Sequence, residues 1–385
     1  MNQPPKFSIL LPAKGRPTLV RDALQSLISQ NFDNFEIIVS NNGADKNVKQ
    51  AILDLLEDKR VIYIEQLKVL PMPEHWEHLS LLANGEYLMV LTDRSVLKQN
   101  ALKTLYDIHS KDNNSNKVIS WPWDIYYSDS NMLMEHMNLE CENVILNSEA
   151  LMVESMTLNC PYPMALPRGL NSSVSMEIVR KIRQKAGAVF LPINPDFSFA
   201  YNCLFEQKKI THLTCSLMIS QGLAVSNGGN AYLTDASVYV STLGLNRPIK
   251  YSPIKSLFVE NVIAEDFFSA CHLYERLDLI NRFDMKFLYQ KCLNELQEKK
   301  FARLLPKEHI LLLEESINQA IREDNAQVQL FFNEIKQKFS GFLFLRGLIK
   351  RLVNTKLKFI KPYLLRLRGA RKVISILDAA GHSSL

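Results

Sequence analysis

The sequence predicts an α/β fold in which an open, doubly wound sheet is followed by a helical C-terminal region. In the first ~110 residues, short apolar runs alternate with stretches of helical periodicity. Such repeated strand–helix–strand spacing is typical of parallel strands with helices on both faces. Beyond residue ~255 the periodicity is helical, as in HILLLEESINQAI. The length of 385 residues allows two domains, or one large domain with an appendage.

Each predicted element follows from its own pattern. Apolar runs predict strands at Phe7–Pro12, Phe35–Ser40, Val61–Glu65, Glu86–Leu91 and Lys117–Trp121. Helical spacing predicts helices over Thr18–Ser29, Val48–Leu56, Glu74–Ala83 and Ala101–Ser110, the third capped by Asn84-Gly85. Open α/β sheets bind ligands outside the carboxyl ends of their strands, which selects the loops Pro12–Pro17, Asn41–Ala44 and Thr92–Ser95.

Several classes of protein are excluded. The loops contain neither GxGxxG nor GxxxxGK[ST], which argues against a Rossmann dinucleotide site and a P-loop. An apolar fraction of 47% and a charged fraction of 22% are ordinary for a globular protein and exclude extensive disorder. No apolar run reaches the ~18 residues of a membrane span, and the first residues do not resemble a signal peptide. The scattered cysteines lead us to expect a reducing, cytoplasmic environment.

Cysteine and histidine patterns give no metal or disulfide signal. The six cysteines are scattered and none forms CxxC, so we expect free thiols. His75 and His78 lie three residues apart, but no second pair follows at zinc spacing. We interpret them as surface histidines of one helix.

The charge is distributed unevenly. The net charge is +5, yet the segment Lys336–Lys372 contains 12 basic residues and no acidic residue. Its basic residues alternate with bulky apolar ones, which suits an amphipathic segment on an anionic membrane surface. The alternatives are a basic helix packed on the acidic body and nucleic-acid binding, and the lack of a recognisable nucleic-acid module argues against the second. We divide the chain into 1–240, a helical extension 241–335 and a basic amphipathic tail 336–385, with membrane contact expected through 336–377.

Four segments in order resemble family 2 glycosyltransferases of the GT-A fold. They are SILLPAKGRPTLVRDALQSLISQNFDNFEIIVSNNGADKN, MPEHWEHLSLLANGEYLMVLTDRSVL, GAVFLPINPDFSFAYNCL and ISQGLAVSNGG. The resemblance covers about residues 6–240. It implies a nucleotide-binding half and an acceptor half, and transfer of a sugar from a nucleotide-sugar, usually with inversion.

The resemblance assigns donor-binding roles to two of the loops. Backbone groups of Pro12 and Ala13 would cradle the nucleotide, with Arg16 near the diphosphate. Asn41 and Asn42 stand where the family commonly has an acidic residue that holds the base or ribose. Amide groups donate and accept, so a base could be held there. The alternative for Asn41-Asn42-Gly43 is a plain turn, and for Arg16 an exposed loop arginine.

The family's metal-binding DxD motif is incomplete here. Asp93 begins it, but Arg94 and Ser95 follow. Asp93 could hold Mn²⁺ or Mg²⁺ with water and the substrate phosphates, since these ions prefer oxygen ligands. Alternatively, Arg94 could replace the charge of the metal, because guanidinium pairs bidentately with phosphate. A third interpretation is a loop that has lost its function.

The resemblance makes Asp196 the candidate base that takes the proton of the acceptor hydroxyl. Its position between Pro195 and Phe197 favours partial desolvation, although Asp there could also be a helix N-cap. The pair Glu265-Asp266 is interpreted as a solvated helix face. Trp76, Trp121 and Trp123 could line a sugar site, but core packing is favoured for each.

These observations predict an inverting glycosyltransferase that acts on a glycan or glycolipid hydroxyl in cell-surface glycan synthesis. The alternative is a catalytically inactive protein of the same fold that binds sugar nucleotides or serves as a scaffold at the membrane. We expect a nucleotide-sugar donor, a glycan or lipid-linked acceptor, an anionic membrane surface and no nucleic acid as partners. A cytoplasmic location on the membrane face fits these partners.

Overall fold

The computed structural model describes most of the chain, over residues 3–111, 117–136, 141–157, 162–222, 249–324, 326, 328–330 and 365–382. Backbone contacts divide it into two units. Unit 1 comprises Met1–Ser155, Pro161–Gly222 and Arg368–Leu385. Unit 2 comprises Met156–Cys160 and Leu223–Leu367.

Unit 1 begins with alternating strands and helices, close to the predicted positions. They are β1 (Phe7–Ala13), α1 (Pro17–Ile28), β2 (Phe35–Asn42), α2 (Lys46–Ile52) with a 3-10 turn (Leu53–Glu57), β3 (Val61–Gln66), α3 (Met72–Leu81), β4 (Tyr87–Val90), β5 (Ser95–Leu97) and α4 (Ala101–Lys111). Apolar side chains of α1 pack against those of β1 and β2 in the main core, among them Val20, Leu24, Leu27, Ile9, Leu11, Ile37 and Val39. Because one face of α1 is buried, its apolar residues recur at helical spacing, and the sequence therefore predicted the helix.

The rest of unit 1 is built from shorter elements. They are β6 (Val118–Ser120), β7 (Trp123–Tyr127), β8 (Met132–Met134), β9 (Asn143–Asn147), α5 (Ser148–Glu154), β10 (Ser172–Ser175), α6 (Met176–Ala186), α7 (Pro195–Glu206), β11 (Lys209–Leu213) and β12 (Met218–Gln221). Among the described residues, eight strands form one sheet in the order β3-β2-β1-β4-β10-β6-β11-β9.

The large sheet is mixed, and the expectation of parallel strands is confirmed for the part of the chain from which it was drawn. Strands β3, β2, β1 and β4 are parallel, as their spacing predicts. Strand β10 runs antiparallel to both β4 and β6, and β9 runs antiparallel to β11. The spacing argument used only the first ~110 residues, where helical crossovers enforce parallel pairing. That argument did not cover the strands after residue ~110.

A second sheet contains the end of the chain. Its order is β13-β8-β7-β12-β5, where β13 is Arg371–Lys372, and the helix α12 (Ile376–Ala379) follows. Val373, Ile376 and Ala380 pack in a cluster with Leu133 and Ile219. Residues 368–382 therefore belong to unit 1, whereas the sequence assigned 336–385 to a separate basic tail. The many basic residues made this segment look like an exposed tail, so the burial of its apolar residues was not predicted. The predicted tail residues 336–364 lie outside the described residues.

Unit 2 is helical over its described residues, as expected for the region after residue ~255. Its helices are α8 (Val259–Leu273), α9 (Leu277–Asn281), α10 (Met285–Ala302) and α11 (Lys307–Glu323). Glu265 and Asp266 on α8 are buried, which corrects their interpretation as a solvated face. The Glu265 carboxylate accepts backbone N–H bonds from residues 250, 251 and 252, and so fixes the segment that precedes α8.

The cysteine prediction is wrong for one pair. Cys141 and Cys215 form a disulfide with a Cα–Cα distance of 4.7 Å. They extend the antiparallel pairing of β9 and β11, in which Asn143 faces Leu213, so the two side chains meet across the ladder. Cys203, Cys271 and Cys292 are free and buried. Cys160 lies outside the described residues.

No helix within the described ranges is both long and apolar enough to span a bilayer.

Candidate functional site

The loop after β1 places Arg16 against Asp93. Gly15 has a φ of +66° and Arg16 a φ of +56°, so two consecutive residues are left-handed before Pro17 begins α1. That conformation costs a non-glycine residue about 1–2 kcal/mol. It brings the Arg16 Nη2 atom to 2.8 Å from the Asp93 Oδ1 atom. The arginine expected at the diphosphate and the first residue of the incomplete DxD motif are therefore an ion pair.

Asp93 is buried, with one carboxylate oxygen unused. Its exposed fraction is 3%, and Oδ2 has no hydrogen-bond partner among the described residues. Burial raises the pKa of Asp93 to about 6, against the opposing effect of Arg16 and Arg94. Asp93 is thus largely ionised at neutral pH, held between two guanidinium groups.

Arg94 is fixed by β12. Its Nη1 atom donates to the carbonyl of Gln221 at 3.2 Å, and the Gln221 N–H donates to the Arg94 carbonyl at 2.9 Å. Burial lowers the pKa of Arg94, with Arg168 adding to this and Asp196 opposing it. The charges of Arg168, Asp196, Asp93 and Arg16 are near enough to Arg94 to affect its pKa.

Asp196 lies in the first turn of α7. Asn194 is the N-cap and Pro195 the first helical residue, so Asp196 is not the cap. Its side chain is 20% exposed. Burial raises the pKa of Asp196, while Arg168 and the backbone N–H groups of residues 196 and 197 oppose the increase. The expected desolvation is present, and the structure brings Asp196 close to Arg94.

Arg168 also belongs to this group, and the sequence analysis missed it. The Cζ atom of Arg168 lies 4.6 Å from the centre of the Trp123 ring and 5.2 Å from that of Phe197. Its Nη1 atom is 3.9 Å from the Asp196 Oδ2 atom. Arg168 stands in Pro-Arg-Gly within a loop, a context without any motif. Only the fold brings it to Asp196.

The amide groups of Asn41 and Asn42 are engaged within the chain. Asn41 Nδ2 donates to the carbonyl of Asp45 at 2.9 Å, and Asn41 Oδ1 accepts the Asp45 N–H at 3.2 Å. Asn42 makes the same pair of bonds with the backbone of Leu70, each at 2.9 Å. Both residues end β2 rather than forming a turn. The plain turn expected as the alternative is therefore wrong for Asn41 and Asn42, and their amide groups are engaged in bonds that hold the end of β2.

Pro12 and Ala13 complete the last part of β1. They are buried and lie opposite Ser40 and Asn41 of β2. The strand end therefore positions the Gly15–Arg16 turn and leaves only backbone groups for a nucleotide.

The described residues do not fit a metal ion that the protein holds by itself. They contain no group of three or more His, Cys, Asp or Glu side chains arranged to bind one. Asp93 offers the single oxygen Oδ2, and Arg16 and Arg94 flank it. Divalent Mg²⁺ or Mn²⁺ requires several oxygen ligands. Positive charge near the Asp93 carboxylate comes from Arg16 and Arg94 among the described residues.

Two other groups proposed from the sequence have structural roles. Trp76 and Trp121 are buried, at 6% and 1% exposure, and Trp76 packs edge-on against Phe190. His75 is not a surface residue, because its Nε2 atom lies 2.8 Å from the Ser40 hydroxyl in the interior. Burial lowers the pKa of His75 to about 4, so it is neutral at pH 7.

Comparison with known proteins supports the family resemblance. Residues 8–166 match the family model described as glycosyl transferase family 2. A Campylobacter jejuni protein named GalNAc(5)-diNAcBac-PP-undecaprenol beta-1,3-glucosyltransferase is 31% identical over 103 residues, which are 26% of this chain and 33% of that protein. The match thus spans about a third of the curated relative. The resemblance is confirmed over the matched region, which contains Arg16, Asp93 and Arg94.

The fold is also found among solved structures. TarS of S. aureus, residues 1–349 in complex with UDP-GlcNAc, aligns with a TM-score of 0.53 and 14% identity, covering 84% of this chain and 82% of that one. This similarity shows the fold and confirms the prediction of a GT-A-type architecture.

Proposed function

We propose that this chain is a glycosyltransferase that moves a sugar from a nucleotide-sugar donor to a hydroxyl group of a glycan or lipid-linked acceptor in cell-surface glycan synthesis. The observation that carries the proposal is the grouping of Arg16, Asp93, Arg94 and Asp196 in unit 1. The family match of residues 8–166 and the named activity of the Campylobacter relative support it.

The proposed reaction needs a base and a positive environment for the leaving group. Asp196 takes the proton of the acceptor hydroxyl as its oxygen forms a bond to the anomeric carbon. The bond from that carbon to the diphosphate breaks, and the electron pair leaves with the nucleoside diphosphate. Attack from the opposite face inverts the configuration. The raised pKa of Asp196 makes its carboxylate a stronger base than an exposed one.

Arg94 and Arg16 supply positive charge for the diphosphate in this proposal. Guanidinium groups pair with phosphate oxygens in bidentate geometry. Arg16 pairs with the Oδ1 atom of Asp93, and the charge of Arg94 is near enough to affect the pKa of the same carboxyl group. A pre-positioned charge is worth more in a partly buried site than in water.

A thermal-shift panel tests the donor site. UDP, GDP, CDP and dTDP are each added to the full chain with EDTA, Mg²⁺ or Mn²⁺. A ligand at 100 times its Kd should stabilise the native state by about 2.7 kcal/mol. We expect one nucleotide to shift the melting temperature, with EDTA making little difference. A shift that requires a metal ion would favour Asp93 as a ligand, and no shift with any nucleotide would contradict the proposal.

A measurement of turnover distinguishes an active glycosyltransferase from the catalytically inactive alternative. A chain that binds one nucleotide but neither transfers nor hydrolyses its sugar derivative would be a binding protein of this fold.

We further propose that the chain docks on the cytoplasmic face of a membrane. The support is the run of 12 basic residues from Lys336 to Lys372 and the undecaprenol-linked substrate in the name of the Campylobacter relative. Each basic residue near an anionic leaflet contributes about 1 kcal/mol.

Vesicle flotation tests this proposal. Truncation would remove residues 368–382, which are part of unit 1, so substitution is the cleaner change. Replacing Lys356, Lys358 and Lys361 by Gln should weaken binding to vesicles of anionic lipid but not to neutral ones. Equal flotation of variant and wild type would rule out this segment as the anchor.

A further inference from the structure

Arg168 has an unusual environment for a guanidinium group. Its side chain is only 19% exposed and lies over the rings of Trp123 and Phe197. Stacking on aromatic rings stabilises the cation and fixes the plane of the group. This stacking leaves the N–H groups at the edge of the guanidinium plane available to donate hydrogen bonds.

Those N–H groups lack an acceptor within the described residues. The nearest carboxylate oxygen, Asp196 Oδ2, is 3.9 Å from Nη1, which is too long for a hydrogen bond. A guanidinium carries five N–H donors, and partly buried charged groups are normally hydrogen-bonded. The positive charge of Arg94 is also close enough to interact with it. An anion in contact with Arg168 would satisfy these donors and reduce the repulsion between the two arginines.

The position of that anion relative to Asp196 indicates which substrate carries it. Arg16 and Arg94 surround Asp93, where the donor diphosphate is proposed to lie. Arg168 instead stands beside Asp196, the proposed base, which must contact the attacking hydroxyl. A group bound to Arg168 is therefore within a few ångströms of that hydroxyl.

We propose that Arg168 binds an anionic group of the acceptor, a phosphate or a carboxylate, and selects acceptors that carry this charge next to the attacking hydroxyl. The assignment of the anion to the acceptor rests on the proposed function. The anion site itself rests on the stacking, burial and unfilled donors of Arg168.

Calorimetric titration of the full chain tests the proposal with two small probes. Glycerol 3-phosphate and glycerol present the same kind of hydroxyl with and without a neighbouring phosphate. UDP is titrated separately as a probe of the donor site. The variants are R168Q, which removes the charge, and R168K, which keeps the charge but loses the planar donor edge. R180Q is the matched control, because Arg180 is exposed on α6.

We expect wild type to bind glycerol 3-phosphate and not glycerol. R168Q should weaken binding of the phosphate at least ten-fold, R168K several-fold and R180Q less than two-fold, with UDP affinity within two-fold throughout. If R168Q fails to fold by circular dichroism, R168K carries the test.

Two results would overturn the proposal. If R168Q weakened the binding of UDP as strongly as the binding of glycerol 3-phosphate, Arg168 would be assigned to the donor diphosphate. Absent or Arg168-independent binding of glycerol 3-phosphate would exclude an anion site there. Wild type that binds glycerol 3-phosphate through Arg168 but no nucleoside diphosphate would instead contradict the proposed function and leave the anion site in place.

Discussion

At the scale of single residues, the buried carboxyl of Asp93 makes stability depend on pH. Its pKa is about 6 when folded against an ordinary value of 3.8. Between these values the folded state retains a proton that the unfolded state has released, so stability falls as pH rises through this window. At 1.36 kcal/mol per pH unit this amounts to about 3 kcal/mol.

The D93N variant should remove this dependence. Its free energy of unfolding, relative to that of wild type, should increase by about 2 kcal/mol between pH 4 and pH 7, because the unfolded Asp93 is already partly ionised at pH 4. Urea denaturation at four or five pH values measures the difference. A difference that stays constant across the range would show that the pKa of Asp93 is not raised.

Asp196 gives the corresponding prediction for activity. If it is the general base, D196N should lower turnover by about 10²–10⁴-fold, because the amide cannot accept the proton. Nucleotide affinity should not fall, because the negative charge of Asp196 lies near Arg94 and its removal leaves the positive charge for the diphosphate in place. Turnover and UDP titration are measured on the same preparation. Wild-type turnover in D196N would remove Asp196 from the mechanism.

The sequence was informative about residues that stand in ordered motifs. Arg16, Asp93, Arg94 and Asp196 were singled out because they stand in segments that resemble the family, and the structure brings them together in unit 1. Arg168 was not, since its role depends on rings contributed by β7 and α7. No local pattern reports a contact between residues that far apart in the chain.

At the scale of elements, Gly85 stands close to the end of α3, as expected, but a different contact explains why a glycine is needed there. It was expected to cap α3, but Leu82 ends that helix. A Cβ atom at Gly85 would lie 2.7 Å from the backbone nitrogen of Ser8 in β1. Gly85 is therefore needed because the entrance to β4 passes directly against β1.

Gly85→Ala should destabilise unit 1 by about 1–3 kcal/mol, the usual cost of overpacking a close contact. Gly187→Ala is the comparison, because nothing lies within 4 Å of its Cβ position and its φ is +82°. That change should cost only about 1–2 kcal/mol of left-handed strain. Chemical denaturation measures the free energy of unfolding of both variants. The double variant S8A/G85A should recover little of the lost stability, since the clash with the Ser8 backbone remains. Wild-type stability of Gly85→Ala would refute the close approach.

The elements differed in how well the sequence predicted them. Strands β1, β2 and β4 were predicted because each is a buried apolar run, and β3 because its residues are mostly apolar although it is only partly buried. Helices separate these four strands. Strand β13 has only two residues, both basic and exposed, so its pairing with β8 has no sequence signal. The disulfide between Cys141 and Cys215 was missed for the same reason, since it depends on the register of β9 and β11.

At the scale of the whole molecule, the chain returns to unit 1 after passing through unit 2. The return is held by β13, by the α12 cluster and by His382, whose Nε2 atom lies 2.7 Å from the carbonyl of Leu97. A separate tail would have no such contacts. The end of the chain should therefore contribute to the stability of the unit that contains Asp93 and Asp196.

Two neighbouring isoleucines test this contribution with almost matched chemistry. Ile376 is 4% exposed in the cluster with Leu133 and Ile219, whereas Ile374 is 83% exposed. Ile376→Ala should lower the free energy of unfolding by about 2–5 kcal/mol through lost burial and a residual cavity. Ile374→Ala should change it by less than about 0.5 kcal/mol, as surface substitutions do. Thermal and urea denaturation of both variants measure the contrast. If the two variants were equally stable, residues 368–382 would not be packed on unit 1, and the separate-tail interpretation would be restored.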